Sequence, residues 1–319
     1  MAILSKLTAL IMTLICTVVP LVDYEAENPD DILLNVAMIS DIHIDATLPA
    51  GKLFLTAGLQ DMKKNATEND AIVVAGDLTN YGDIASVDTF YNILSKVNPA
   101  DDWIIAAGNH DIGHVEDRTH KQARKDLINY NNKYTSAKNK TIYYSKVVDG
   151  YTFIVLCDQS DDNWDSCYIY RNQLEFLDAE LKKATKKGKP AFVICHWPVE
   201  GVNGQRAVYK DSGLEGAFSK RVKNILEKYK NVFFISGHMH KGISGEYFEK
   251  VFGFSSVETL DGVTYVSLPS YGIANRYGIP WNGMGMQMEV YKNEVVFRPR
   301  RYLKSTWYSF VEYRVPIVK

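Results

Sequence analysis

The 319-residue sequence has no surplus of positive charge: 36 lysines and arginines stand against 38 aspartates and glutamates, a formal net charge of −2. No basic excess therefore argues for a nucleic-acid backbone as partner. An anionic ligand stays open, because bound metal ions would supply positive charge locally. Cysteine is scarce, with four residues, too few for a disulfide-built scaffold. There is no internal repeat, linker or low-complexity tract, which removes repeat arrays from consideration. What remains, 46% hydrophobic and 23% charged, is the composition of one large globular domain over residues 32–319.

The first 22 residues stand apart. Lys6 is their only charge, and Leu7 to Val22 is an uncharged run broken by Thr8, Thr13, Thr17 and Pro20. It falls short of the about 20 apolar residues that span a bilayer and reads as an export signal over residues 1–22. No small-x-small pair precedes the acidic stretch Asp23-Tyr24-Glu25-Ala26-Glu27, so an uncleaved anchor, with membrane association through this segment, is the alternative. Either way the expected destination is secreted, periplasmic or cell-surface. Cys16 follows bulky Ile15, which argues against a lipid anchor there. Of the other cysteines, Cys157 and Cys195 lie in apolar runs and suit small buried hydrophobes. Cys167 lies in a polar loop; a Cys157–Cys167 disulfide is open to an exported protein, with three free thiols the favoured reading. Asn65-Ala66-Thr67 and Asn139-Lys140-Thr141 are glycosylation sequons that matter only in a eukaryotic source.

The body alternates strand and helix. Apolar runs at Leu33–Ile39, Ala71–Ala75 and Trp103–Ala107 read as strands, with helical spacing over Leu53–Lys64 and Ala85–Val97 between them. Near-continuous apolar strands separated by helices imply a parallel sheet covered on both faces, with its site at the carboxyl ends of the strands. After a basic, Asn-rich segment, Arg118–Lys140, a hairpin is expected from Ile142–Val148, the Asp149-Gly150 turn and Tyr151–Cys157. An acidic loop, Asp158–Asp165, precedes an amphipathic helix over Arg171–Lys186, closed by Gly188. Further strands are expected at Val263–Leu268, Gln287–Tyr291, Glu294–Phe297 and Trp307–Val315.

Five of the apolar runs end in residues that no core needs. They are Ser40-Asp41-Ile42-His43, Gly76-Asp77, Gly108-Asn109-His110-Asp111, Cys195-His196 and Gly237-His238-Met239-His240. In extended chain, residues i and i+2 point the same way. Asp41 and His43 would thus reach one ion together, and so would His238 and His240. Seven candidate ligands, Asp41, His43, Asp77, Asn109, His196, His238 and His240, are too many for one ion and suit a pair, which activates water and clamps phosphoryl oxygens at once. With N and O donors and no thiolate, the expected ions are Mn, Fe or Zn. Taken alone, Asp77 after Gly76 would suit a helix cap, Asp111 a turn, and His114 and His120 surface or hydrogen-bonded histidines rather than ligands. Tyr81, Trp197 and Tyr271 are cleft candidates, though packing is the favoured reading.

In that chain order, Asp-x-His, Gly-Asp, Gly-Asn-His-Asp, His and Gly-His-x-His resemble the calcineurin-like metallophosphoesterases, over about Asn35–His240. Leu156-Cys157-Asp158 followed by Gln173-Leu174-Glu175-Phe176-Leu177 is similar to the cyclic-nucleotide-phosphodiesterase-like branch, although Cys195 stands where many of its members carry a second histidine. His43, and Tyr81 one residue too far from Asp77, disfavour the purple acid phosphatase branch. The resemblance implies an α/β fold, a four-layer α/β/β/α sandwich with two mixed β-sheets and the metal site at strand C-terminal ends. It implies one ion on Asp41, His43, Asp77 and His240 and another on Asp77, Asn109, His196 and His238, with Asp77 bridging. His110 would stand just beyond the ligands, donating to the scissile phosphate or protonating the leaving oxygen, with Asp111 steering its ring. The function implied is hydrolysis of a phosphoester, a small molecule or a polymer, with a diester preferred over a monoester. A non-catalytic binding module on the same fold is the alternative, and the intact His110 speaks against it.

Overall fold

A computed structural model of the chain describes residues 29–64, 68–135, 137–209, 212–214, 216–245, 249–251, 253–308 and 311–319. The export segment, Cys16 and the first sequon lie outside the described residues. In chain order the elements begin β1 (Leu34–Ile39), α1 (Pro49–Lys64), β2 (Ala71–Ala75), α2 (Ile84–Val97), β3 (Asp102–Ala106), the single turn α3 (Asn109–Ile112) and α4 (His120–Tyr134). The hairpin β4 (Tyr144–Val148) and β5 (Tyr151–Val155) follows, then α5 (Arg171–Ala184), β6 (Ala191–Ile194), α6 (Gln205–Val208), α7 (Gly216–Leu226) and β7 (Val232–Ser236). The chain finishes with β8 (Val257–Leu260), β9 (Val263–Ser267), β10 (Met284–Val290), β11 (Glu294–Arg301), β12 (Thr306–Trp307) and β13 (Tyr313–Pro316).

Two mixed sheets result. One runs β12-β11-β10-β1-β2-β3, with β13 also on β11; the other runs β4-β5-β6-β7-β9-β8. In the first, β1, β2 and β3 are parallel and β10 is antiparallel to β1. In the second, β5, β6, β7 and β9 are parallel. The two-residue side-chain period of a strand divides the core. Val36, Met38, Val73 and Ile104 of one sheet share a buried cluster with Phe153, Phe192, Ile194 and Phe233 of the other. Residues of the opposite parity, such as Ala37, Ile72 and Ile105, or Ile154, Val193 and Phe234, cluster instead with helical Leu55, Leu59, Phe90, Leu94, Leu177, Leu181 and Val222. The order is therefore helix, sheet, sheet, helix, and the parallel strands of both sheets are buried on both faces. Beside the site-bearing strands, a buried ion pair ties α1 to β11: Arg300 donates to Asp61 through Nε at 2.7 Å and Nη2 at 2.9 Å. Breaking such a pair costs about 3–5 kcal/mol.

The structure differs from sequence expectation in several places. The basic, Asn-rich segment holds α4, which its polarity concealed. Thr119 and Gln122 form a reciprocal cap, and only Ala123, Leu127 and Asn131, four apart, are buried. Helix α7 and strand β8 were likewise not foreseen. The strand expected over Trp307–Val315 is two strands. From Arg300↔Trp307 to Phe297↔Tyr313, six residues of chain stand against three of β11, and among the described residues between them Tyr308, Val311 and Glu312 lie in neither strand. Cys157, Cys167 and Cys195 are all buried free thiols, and the Cys157–Cys167 disulfide is not formed. Among the described residues no helix is long and apolar enough to cross a membrane.

Candidate metal centre

The carboxyl ends of β1, β2, β3, β6 and β7 meet at one end of the sandwich. Asp41 N donates to the Gly76 carbonyl at 3.0 Å and Gly237 N to that of His196 at 3.0 Å, joining strand exits within each sheet. The His196 ring crosses between sheets, with Nδ1 donating to the Ala75 carbonyl at 2.8 Å. The exits do not continue as extended chain. Asp41, His43, Asp77, His238 and His240 all have left-handed backbones, with φ of 54°, 52°, 50°, 69° and 45°. Non-glycine residues pay about 1–3 kcal/mol each for such conformations, which concentrate at functional sites. This corrects the expectation from i, i+2 alternation. Asp41 and His43 still share one set, whereas His238 and His240 part company, His240 reaching Asp41 and His238 reaching Asn109.

Two glycines are set by proximity. Gly108 has an ordinary backbone, but a Cβ there would lie 2.1 Å from Asp77 Oδ1. At Gly237 a Cβ would lie 1.9 Å from Ser40 Oγ and 2.5 Å from Asp41 Oδ2. Both sites need bare backbone beside a buried carboxylate.

The seven candidate ligands gather in two sets that meet at Asp77. One ligand atom from each of Asp41, His43, Asp77 and His240 lies within 4.8 Å of the other three. His43 Nε2 is 3.1 Å from His240 Nε2 and 3.6 Å from Asp77 Oδ2, while His240 Nε2 is 3.2 Å from Asp41 Oδ1. The second set is a triangle: Asn109 Oδ1 is 3.1 Å from His196 Nε2 and 3.0 Å from His238 Nδ1, which are 3.2 Å apart. Asp77 Oδ2 joins it, 3.3 Å from His196 Nε2. With Nδ1–H of His196 committed to Ala75, its Nε2 is a lone pair in the neutral ring. An amide oxygen, a carboxylate oxygen and imidazole lone pairs then face one another, an arrangement that repels unless a cation lies among them. The donor set fits a pair of metal ions.

The electrostatics agree. Burial opposes ionisation of Asp41, but the His240 and His196 rings outweigh it and bring the carboxyl down to about 2. Burial likewise opposes charge on His43 and His238, which fall to about 4 and about 3. On His196 burial is overcome by the adjacent Asp77 carboxylate, which pushes the ring up to about 10. A proton there and a metal ion would compete for the same lone pair.

His110 lines a cavity of about 310 Å³ beside both sets, together with Trp164, Asp165, Tyr209 and Arg276. Its backbone N donates to Asp77 Oδ1 at 3.0 Å, and its ring Nδ1 lies 2.6 Å from the Asn80 carbonyl. Asp111 does not steer that ring. Its carboxylate instead accepts from the backbone N of Gly108 at 2.9 Å, Leu78 at 3.1 Å and Thr79 at 3.0 Å, and from Thr79 Oγ1 at 3.0 Å. It fastens the exit of β2 to that of β3, and Asn80 takes the orienting role. Asp111→Ala would strand several buried donors, each costing about 1–3 kcal/mol, so a clear loss of stability in urea unfolding is expected. A variant of wild-type stability that was nonetheless inactive would return Asp111 to catalysis.

His114 is a hydrogen-bonded histidine, Nε2 3.4 Å from Asn109 Nδ2; its ring stacks on His110, centroids 4.0 Å apart, and lies 4.6 Å from that of Trp164. Burial, then His110, lower its pKa to about 4. Asp165 and Ser212, which touch Asn109 and His238, escaped sequence reasoning; the acidic loop 158–165 was the one signal. Trp197 and Tyr271 are packing residues, buried with polar atoms on the carbonyls of Asp165 and Phe54. Tyr81 is exposed.

Comparison with known proteins matches residues 34–242 to the family model described as calcineurin-like phosphoesterase. The chain is 26% identical over 206 residues to a "Probable cyclic nucleotide phosphodiesterase" of Ruthia magnifica subsp. Calyptogena magnifica, covering 64% of this chain and 76% of that one. Among solved structures it resembles a dimetal phosphatase from Danio rerio at 14% identity, with a TM-score of 0.63, covering 90% of this chain and all of that one. It also resembles the purple acid phosphatase PPD1 of yellow lupin (Lupinus luteus) at 13% identity and a TM-score of 0.62, spanning 89% of this chain but 53% of that protein. These structural likenesses concern the fold. With the family model covering most of the chain and the strand ends delivering a metal-type donor set, the chain belongs to the calcineurin-like phosphoesterase family and is a metal-dependent phosphoric ester hydrolase.

Proposed function

We propose that the protein is an exported dinuclear phosphoesterase that prefers diesters to monoesters. The observation that carries the dinuclear reading is the sharing of Asp77 Oδ2 between His43 at 3.6 Å and His196 at 3.3 Å. Asp41, His43, Asp77 and His240 would hold one ion, and Asp77, Asn109, His196 and His238 the other. The printed name of the Ruthia relative supports the diester preference, and the apolar run Leu7–Val22 supports export. Bound there, two ions lower the pKa of water and neutralise phosphoryl charge. The chain's own groups do the rest. Asp41 and Asp77 supply buried negative charge, His238 and His240 line the cavity, and His110 stands there with Nδ1 held by Asn80. That leaves His110 Nε2 facing the cavity, where the imidazolium form, with a proton on each ring nitrogen, would hand the Nε2 proton to the departing oxygen and be left as the neutral ring.

Purified protein is expected to hold about two ions per chain, and chelation should abolish turnover. Mn should restore it better than Mg, because a histidine-rich set favours the softer ion. Loading must displace a proton from His196, so affinity should strengthen as pH rises from about 6 to 8. Metal analysis, with turnover of chromogenic mono- and diesters before and after chelation, checks this. Full activity in chelator with no bound metal would end the reading; a faster monoester would reverse the preference.

A further inference from the structure

Resting on that dinuclear reading, we propose that Asp165 and His114 are positioning residues for one ion only, the one assigned to Asp77, Asn109, His196 and His238. An asparagine amide presents oxygen at one end and two N–H donors at the other, and its surroundings decide which end faces where. Asn109 Nδ2 lies 3.2 Å from Asp165 Oδ1 and 3.4 Å from His114 Nε2. A carboxylate only accepts, and an imidazole nitrogen with a free lone pair also accepts, so both N–H groups have a partner on that side. Flipping the amide would set its oxygen against Asp165 and push N–H groups into the lone-pair triangle. The carboxylate and His114 therefore hold Asn109 Oδ1 toward His196 and His238.

Asp165 reaches the same ion position by a second route. Ser212 Oγ donates to the Asp165 backbone carbonyl at 3.1 Å. With its proton spent there, the hydroxyl oxygen accepts from His238 Nε2–H, which leaves the lone pair of that ring on Nδ1, facing the triangle. Trp197 Nε1 donates to the same carbonyl at 2.7 Å and anchors it. Two of the four groups assigned to this position are thus oriented from one loop residue. Among the described residues none of these hydrogen bonds reaches Asp41, His43 or His240. The Asp165 side chain is 43% exposed, so its removal opens no core.

Partners of metal-binding side chains are typically worth 10–100-fold in affinity. Titration of the full chain with Mn(II), followed by calorimetry and by electron paramagnetic resonance, tests the inference. Wild type should bind two ions and give the spectrum of a coupled pair. Asp165→Ala should keep one ion at wild-type affinity and bind the second about 10–100-fold more weakly, so that at limiting Mn(II) the spectrum is that of an isolated ion. Asp165→Asn keeps an acceptor oxygen and should recover most of the loss. His114→Phe, which keeps the ring stack without the acceptor, should weaken the second ion alone. Ser212→Ala tests the His238 arm and carries the question if Asp165→Ala fails to fold. Two unchanged affinities in Asp165→Ala, or equal weakening of both, would overturn the inference while leaving the dinuclear site standing. A wild-type protein that binds a single ion would remove the site itself.

Discussion

Asp77→Asn should lose both metal ions and all but a trace of turnover, the largest effect of any single substitution in the site. Asp77 Oδ2 is the atom common to the two ligand sets, and Oδ1 takes the backbone N–H of His110. The change is nearly isosteric, so the carbon framework stays while one negative charge goes. What remains is two cations facing each other with Asp41 as the one other carboxylate among the assigned ligands. In so buried a place, charges a few ångströms apart are poorly screened. The loss should therefore exceed the roughly 10–100-fold typical of an outer partner. Burial pushes the Asp77 carboxyl up, but His196 and His43 prevail and hold it well below the usual carboxylate range. The variant should accordingly be less stable than wild type as well, since those rings lose the charge they face. Metal content, turnover and thermal unfolding measured on one preparation check this. Retention of both ions at wild-type occupancy would show that Asp77 does not bridge.

His110→Ala should separate the proton donor from the ligands. No ligand atom is removed, so both ions should remain, and slow turnover should persist. General acid catalysis is typically worth 10²–10⁴-fold, and more when the departing oxygen is a poor leaving group. The ratio of variant to wild-type kcat/KM should thus fall modestly for esters of acidic phenols and steeply for alkyl or sugar esters. If the imidazole acted by charge alone, both kinds would fall alike. A flat profile across graded leaving groups would reject the proton-donor role, and metal loss would place His110 among the ligands. The Asn80 carbonyl keeps Nδ1 protonated and turns Nε2 outward; a neutral ring would accept at Nε2, so the donor role requires the imidazolium form, in which both nitrogens carry a proton.

Much of this fold is legible along the chain, for a local reason. Val36, Met38 and Val73 face the other sheet while Ala37, Ile39 and Ile72 face helices, and strands buried on both sides show as uninterrupted apolar runs. β2 begins and ends where its apolar run does, and the hairpin turns at Asp149-Gly150 as expected. Where the outcome depended on distant partners, local pattern misled. Helix α4 buries only Ala123, Leu127 and Asn131 fully, with Ile128, Tyr130 and Tyr134 partly buried against the core, and its polar remainder conceals the period. The break between β12 and β13 is imposed by the register of β11.

The sequence by itself determined which residues would meet: polar groups closing five apolar runs can be delivered to one edge by parallel strands, and the structure brings all seven candidate ligands there. It also determined the donor chemistry, since histidine, carboxylate and amide without thiolate follow from composition alone. Tertiary structure decided the rest. Left-handed backbone at Asp41, His43, Asp77, His238 and His240 is not written in those residue types, none of which is glycine; it is held by contacts between strand exits. Tertiary contacts also bring His240 to Asp41 and His238 to Asn109. It was likewise distance in space, across 33 residues from Leu78 and 56 from Asn109, that made Asp111 a brace and Asp165 a partner of the site. A hydrogen bond acts over about 3 Å, and no local pattern encodes which distant atoms will come that close.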